Sequence, residues 1–344
     1  MERVFEKAVS ILKAGHSFAI ATLLESFGST PRGEGTKMLI LDDGSIYSTI
    51  GGGLPEATVI LRGKELIKSG VSEIISTDMF GADPTGEISI CGGSTKVMLC
   101  PVSPMELPVF EAIHKAMSSQ TSVCYVIKHC GGTYAHFCVF EDGRIIGTQP
   151  VDEKTAKSLR DASIGASMHS EENDSVSFYI ERVFFDGKVY ILGGGHVALD
   201  LAKIADITDF KTAIIEDRAE FLEAPRFPFS ERILIPSFEH LPTLNIRAND
   251  YIVVITRGHL YDLAGLKWAL NTPAKYIGMI GSITKRDLLY AQLINEGISQ
   301  EGLKQVHSPI GVKIGGNTPA EIAVSIIAEL ISVRSKKKNA NSLI

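Results

Sequence analysis

The stretch Val189-Tyr190-Ile191-Leu192-Gly193-Gly194-Gly195-His196-Val197-Ala198 decides the fold. Four apolar residues in a row read as a strand buried on both faces, and helical spacing begins at Val197 and runs to Ile207. The glycines between them fit the pattern G-x-G-x-x-[GA]. Gly193 makes the tight turn, Gly195 lets backbone approach a phosphate, and Ala198 lets the helix pack closely on the strand. The first N–H groups of such a helix face an anion. Glu216-Asp217 follow at the end of the next strand, about twenty residues on, where an acidic side chain accepts hydrogen bonds from ribose hydroxyls. That acid disfavours a 2′-phosphate, and Arg218 beside it offsets the preference.

Apolar runs recur after this turn. Thr212 to Ile215, Arg232 to Ile235, Tyr251 to Ile255 and Tyr276 to Ile280 read as further strands of a parallel, Rossmann-like sheet flanked by helices. Ligands of open α/β sheets bind at the carboxyl ends of the strands. Two more polar, glycine-bearing loops are expected there. One is Thr256-Arg257-Gly258-His259, with Asp262 beyond it; the other is Gly281-Ser282, followed by Lys285 and Arg286. Arg257 and Lys285 can hold anionic groups. His259 suits an acid–base or ligand-contact role, and both it and His196 equally suit orienting loop backbone. Together the three loops are expected to converge on one crevice. The last helix is signed by Thr318 as N-cap, Pro319 at its first position and Glu321 completing a capping box. It is expected to end near Val333, leaving 335–344 as a flexible, solvated tail.

The first half reads as an α+β domain with a mostly antiparallel sheet. A helix with Phe5, Ala8, Val9 and Leu12 on one face stops at Gly15. Strands are expected at Ser17 to Glu25, Lys37 to Leu41, Glu87 to Ile90, Thr95 to Val102, Ser122 to Lys128, His136 to Glu141 and Arg144 to Gly147. Asp142-Gly143 marks a hairpin. A helix from Leu54 to about Lys68 carries Pro55 in its first turn, a short helical run lies near Glu153 to Leu159, and other long helices are few. Three clusters stand out: Gly28-Ser29-Thr30-Pro31-Arg32, Gly51-Gly52-Gly53 before the helix bearing Glu56, and Cys91-Gly92-Gly93 with Lys96 near. The N–H groups of Gly52 and Gly53 can cradle an anion. The Cys91 thiol reads either as a soft ligand for a metal or sulfur carrier or as a buried cysteine before a turn. Asp186-Gly187 is a hairpin turn or a domain junction. The change in pattern after it favours the junction, with an N-terminal domain over 1–184 and a Rossmann-like domain over 185–334.

The chain's 344 residues suit two domains at ~150 residues each. Its 34 Lys+Arg against 40 Asp+Glu leave a net charge of −6, which argues against a nucleic-acid partner. Five cysteines form no CxxC pair, so neither a disulfide framework nor a zinc ribbon is indicated. The start, Met1-Glu2-Arg3-Val4-Phe5, reads as an amphipathic helix rather than a signal peptide, and no run of ~18 apolar residues suits a membrane. The expectation is a reduced, cytoplasmic protein. No Walker A loop, H-E-x-x-H, G-x-S-x-G or Tyr-x-x-x-Lys pattern is present.

In order, these motifs resemble the XdhC/CoxI family, the xanthine dehydrogenase accessory proteins. The resemblance runs nearly end to end. It rests on Ala21-Thr22, the Gly28–Arg32 and triple-glycine loops, Glu56, Cys91-Gly92-Gly93 and Gly193–Val197. It continues through Glu216-Asp217-Arg218, Arg226-Phe227-Pro228, Thr256–His259 and Tyr276–Ser282, and ends with His307-Ser308-Pro309-Ile310-Gly311 and Pro319–Ala323. It implies a protein that binds molybdenum cofactor, protects it, and assists its sulfuration and insertion into a xanthine dehydrogenase-type hydroxylase. It also implies the apo-hydroxylase and a cysteine desulfurase as partners, and a homodimer. One departure stands out: some members have Gly-Gly-Cys-x-Glu where this chain has Gly52-Gly53-Leu54-Pro55-Glu56. The rival reading is an NAD(P)-dependent oxidoreductase, or a protein holding another nucleotide, supported by the glycine turn and Glu216.

Overall fold

The structure, a computed structural model, describes residues 2–28, 32–78, 81–82, 88–89, 93–119, 121–151, 153–163, 168–173, 176–183 and 187–340. The chain divides into two compact units, Met1–Phe185 and Asp186–Ile344.

The N-terminal unit is built on alternation. In strand Phe18–Gly28 the side chains of Phe18 and Ile20 enter one core, and those of Ala19, Ala21 and Leu23 enter another. Its sheet is antiparallel throughout, in the order Ile46–Tyr47, Lys37–Leu41, Phe18–Gly28, Gly93–Val102, Glu73–Asp78. A second antiparallel sheet runs Ile145–Gly147, Thr133–Phe140, Val123–Cys130, Val176–Val183, Met168–Asn173. Helices Glu2–Lys13 and Leu107–Ser118 supply the core shared by the two sheets, where Phe5 meets Tyr125 edge-on at 5.5 Å and Phe110 meets Phe18 at 5.9 Å. Helix Gly53–Ser69 covers the outer face of the first sheet, and Leu159 of helix Glu153–Ser163 packs on the outer face of the second.

A helix and two strands here go beyond the sequence reading, among them Met168–Asn173 at the edge of the second sheet. Leu107–Ser118 carries Val109, Phe110, Ile113, Ala116 and Met117 on its buried side, and Ser103 and Glu106 form a capping box just before it. That box and Pro108 are the legible signal. Strand Glu73–Asp78 lies at the sheet edge, with Glu73 at its start and little alternation to mark it. Of the expected strand near 87–90, Ile88–Ser89 pairs with Gly81–Ala82, while Glu87, Ile90, Cys91 and Gly92 lie outside the described residues, as do Ser29, Thr30, Pro31 and Asp186.

The C-terminal unit holds six parallel strands in the order Glu231–Leu234, Lys211–Glu216, Lys188–Leu192, Tyr251–Val254, Tyr276–Met279, Val306–His307. In chain order this is 3-2-1-4-5-6, the doubly wound Rossmann arrangement, so the fold is α/β in this unit as the glycine turn implies. Helices His196–Ile207 and Pro319–Ala340 bury one face; His259–Leu270 and Ile283–Asn295 bury the other. The last helix starts as expected, with Asn317 and Thr318 N–H donating to Glu321 Oε2 at 2.9 Å each and Glu321 N–H donating to Thr318 Oγ1 at 3.3 Å. It continues to Ala340 rather than ending near Val333, so 335–340 extend it. Among the described residues, no helix is long and apolar enough to cross a membrane.

Candidate functional site

The strand order reverses between Lys188–Leu192 and Tyr251–Val254, and the loops leaving these strands flank that switch point. Gly193 turns the chain with φ +110°; its N–H donates to Ile215 O at 2.8 Å, and a Cβ there would meet Ile255 O at 2.5 Å. Only glycine fits. Gly195 is the N-cap of the next helix. No side chain caps that helix, and the space where a Cβ would project from Gly195 is open. The Gly258 loop has the same properties: N-cap of His259–Leu270, no side-chain cap, and open space. His196 and His259 are both exposed at these helix starts. The Gly281 loop differs, because Ser282 Oγ accepts the Lys285 N–H at 3.2 Å and closes its helix start. Two of the three expected loops therefore present uncapped amides, and the third is capped by its own serine.

Glu216 does not face outward. Its side chain is 1% exposed; Oε2 accepts the Gly194 N–H at 2.7 Å and Arg218 Nη2 at 3.1 Å, while Oε1 accepts Arg218 Nε at 2.9 Å and the Asp217 N–H at 3.1 Å. The acid expected to meet ribose hydroxyls is thus taken up by the glycine turn and an arginine, because a buried carboxylate must find donors within the protein. Arg218 lies 3.7 Å over the Phe221 ring. Arg226 Nη2 donates to Gly194 O at 2.9 Å, a clamp on the glycine turn that no spacing rule singles out.

Arg257 spans from the fourth strand's loop to Asp217 at the end of the second. It binds both Asp217 oxygens, Oδ2 at 2.8 Å, and stacks 4.5 Å over Tyr261. The Arg257 guanidinium holds the Asp217 carboxyl down to about 2. Because the folded pKa lies below the ordinary 3.8, the pair's stabilisation is present above that value and lost as pH falls through about 2. In an NMR titration, Arg257→Ala is expected to return Asp217 toward the ordinary carboxylate range; an unmoved Asp217 would show that its neighbours, not Arg257, set it.

Asp262, fully buried in the first turn after His259, is the other centre. Its Oδ1 accepts Thr256 Oγ1 at 2.6 Å and the Thr256 N–H at 3.1 Å, and Oδ2 pairs with Lys285. Thr256, Gly258 and Lys285 are therefore joined through an aspartate that the motif has only as a neighbour. Its signal is an acid in the first turn of a helix opened by glycine.

In the N-terminal unit, Gly51, Gly52 and Gly53 all have positive φ, at 139°, 81° and 72°. The anion over this turn is Glu56, whose Oε2 accepts the N–H groups of Ile50 and Gly52 at 3.1 Å each and the Thr49 hydroxyl. The expected cradle is filled from within. Arg32 is exposed, and Cys91 lies outside the described residues. Cys100, Cys124 and Cys138 are buried, and burial pushes the Cys138 thiol up to about 12 and Cys100 higher still. Among the described residues, no group of three His, Cys, Asp or Glu side chains could hold a metal ion.

Residues 189–330 match the family described as XdhC Rossmann domain, and residues 11–78 match the XdhC and CoxI family. The chain belongs to the XdhC/CoxI family. This XdhC/CoxI protein is 24% identical over 95% of its length to a Bacillus subtilis protein named as a probable xanthine dehydrogenase subunit, covering 96% of it. It is 21% identical over 98% of its length to the Escherichia coli molybdenum cofactor insertion chaperone PaoD, covering 89% of it. It is 25% identical to the uncharacterized E. coli protein YqeB over 96% of its own length, yet spans only 46% of that protein, about half. A crystal structure from Bacillus halodurans, described as a xanthine dehydrogenase, shares the fold with a TM-score of 0.82 at 22% identity, covering 98% of this chain and 97% of that one.

Proposed function

We propose that this protein is an accessory factor of a xanthine dehydrogenase-type molybdenum hydroxylase, binding molybdenum cofactor as cargo and assisting its sulfuration and insertion. The observation that carries the reading is the pair of uncapped helix starts at Gly195 and Gly258, side by side at the switch point with open space above each glycine. Unpaired amides and the positive ends of two helix dipoles suit the phosphate of a molybdopterin. Arg257 in the Gly258 loop and Lys285 in the first turn of the helix after Gly281 add positive charge, each tied to a carboxylate that fixes its position. The names of the B. subtilis relative and of PaoD support the same assignment.

In this reading the apo-hydroxylase and a cysteine desulfurase are the partners, and the working form is a homodimer. With leucine at 54, sulfur handling falls to Cys91 or to the desulfurase itself; burial raises the Cys100 and Cys138 thiols and disfavours their thiolates. The nicotinamide reading needs an acid with a free edge at the second strand's end. Glu216 spends both oxygens on Gly194 and Arg218, so no observation favours that alternative.

The test is co-expression with a molybdenum hydroxylase and assay of that enzyme's molybdenum and sulfido content. Several-fold higher sulfido content with the protein than without it is expected; equal content overturns the proposal. Thermal melting with NAD, NADP, ATP and CTP completes it, because a ligand that prefers the native state raises the melting temperature. Turnover with a nicotinamide would replace the accessory role by an enzymatic one.

A further inference from the structure

His307 of the sixth strand, Tyr276 of the fifth and Glu329 of the last helix form a cluster that the glycine-turn site does not use. His307 pairs with Gly278, two residues beyond Tyr276, so both side chains leave the same face of the sheet. Gly278 makes the approach possible: a Cβ there would meet Tyr276 Oη at 2.6 Å and Ile310 Cδ1 at 2.5 Å. Through that space Tyr276 Oη donates to Glu329 Oε2 of the last helix at 2.7 Å, and the Gly311 N–H donates to the same oxygen at 2.7 Å. His307 Nδ1 lies 2.7 Å from Glu329 Oε1, and its ring packs on Tyr276 with centroids 4.5 Å apart.

This arrangement favours one tautomer. Burial opposes ionisation of Glu329, but hydrogen bonds from His307, Tyr276 and Gly311 outweigh it and hold its pKa below the usual range. An ionised carboxylate only accepts, so Nδ1 donates, and of the two neutral tautomers the one favoured here has its lone pair on Nε2. The sheltered end is Glu329, 19% exposed, and the open end is His307, 40% exposed. Nε2 has no hydrogen-bond partner among the described residues. In the next residue, Ser308 Oγ is buried without a partner. A carboxylate that is fixed through one oxygen and holds an imidazole with the other, the far nitrogen being open, is the arrangement of a base fixed by an orienting acid.

The geometry points to a second site in this unit: His307, held by Glu329, is a proton-accepting residue for a ligand that presents an O–H or N–H group. The ligand's proton passes to Nε2, the electron pair of the broken bond stays on the ligand oxygen or nitrogen, and Glu329 offsets the imidazolium charge. Glu329 and Tyr276 are positioning residues. The inference does not rest on the cofactor reading and survives its failure.

Two measurements on the full chain test it. Diethyl pyrocarbonate acylates a neutral imidazole through its lone pair, and mass spectrometry reports the rate at each of the nine histidines. His307 is expected to react several-fold faster than the exposed His196 and His259, and Glu329→Gln to slow it about tenfold, as loss of an orienting partner does. Tyr276→Phe, which keeps Glu329 and His307, is expected to change the rate little. Nitrogen NMR of the wild type gives the tautomer without any variant, with Nε2 unprotonated. Phenol as probe is expected to shift the His307 ring resonances saturably, and anisole, which lacks the proton, to leave them in place. A protonated Nε2, equal responses to phenol and anisole, or a labelling rate unchanged in Glu329→Gln while its melting temperature falls would reduce the cluster to a clasp on the last helix and overturn the site.

Discussion

Lys37→Met is expected to destabilise the N-terminal unit by about 3–5 kcal/mol, the range for removing one partner of a buried ion pair. Lys37 is 3% exposed and Glu181 7%, and they join strands of the two different sheets. Lys37 Nζ also donates to Gly35 O at 3.2 Å and lies 5.6 Å from the Tyr125 ring centroid. Without the ammonium, Glu181 is left charged and uncompensated, or must take up a proton. The double variant Lys37→Met, Glu181→Leu removes both charges and is expected to recover most of the loss, because an apolar pair of similar volume needs no desolvation of ions. Urea unfolding of the full chain and of both variants measures this. A single-variant loss below about 1 kcal/mol would place the pair with surface salt bridges instead.

Gly193→Ala is the second large effect, with an expected cost of about 1–3 kcal/mol to the C-terminal unit from its positive-φ backbone alone. Its Cβ would also sit 2.5 Å from a backbone oxygen, Ile255 O, which cannot swing aside as a side chain can. Gly195→Ala is the informative contrast. Gly195 has φ −70° and open space, so the change is expected to alter stability by no more than ~0.5 kcal/mol. It fills the approach to the uncapped amides, and cofactor binding is expected to fall while the melting temperature holds. Unchanged binding in Gly195→Ala would move the anion away from this helix start.

Much of the C-terminal unit is legible in one dimension. Continuous Val/Ile runs mark strands buried on both faces, the Thr318–Glu321 capping box marks the last helix, and the glycine turn marks the first crossover, because each is set by neighbours close in the chain. The N-terminal unit is less legible. Helix Leu107–Ser118 lies outside the sequence expectation although Ser103 and Glu106 announce it, and strand Glu73–Asp78 holds its place only by pairing with Gly93–Val102. A short edge strand has no periodicity of its own.

The same division runs through the candidate site. Glycine and histidine spacing locates the turns at Gly193, Gly258 and Gly281, since turn chemistry is local. Which side chains meet around them is a matter of partners far along the chain, apart from the local cap of Ser282 on its own helix. Asp217 meets Arg257 forty residues on, Asp262 meets Lys285, and Glu329 meets Tyr276 and His307 only where the last helix packs on the sheet. Composition and spacing alone determined the parallel sheet and its glycine turn, and the resemblance of the motifs in their order identified the family. Tertiary structure decided that Glu216 is bound by the Gly194 N–H and Arg218 and that His307 is held by an acid. A carboxylate's role is fixed by whichever donors folding brings within hydrogen-bond reach, and that distance is not a property of the chain's order.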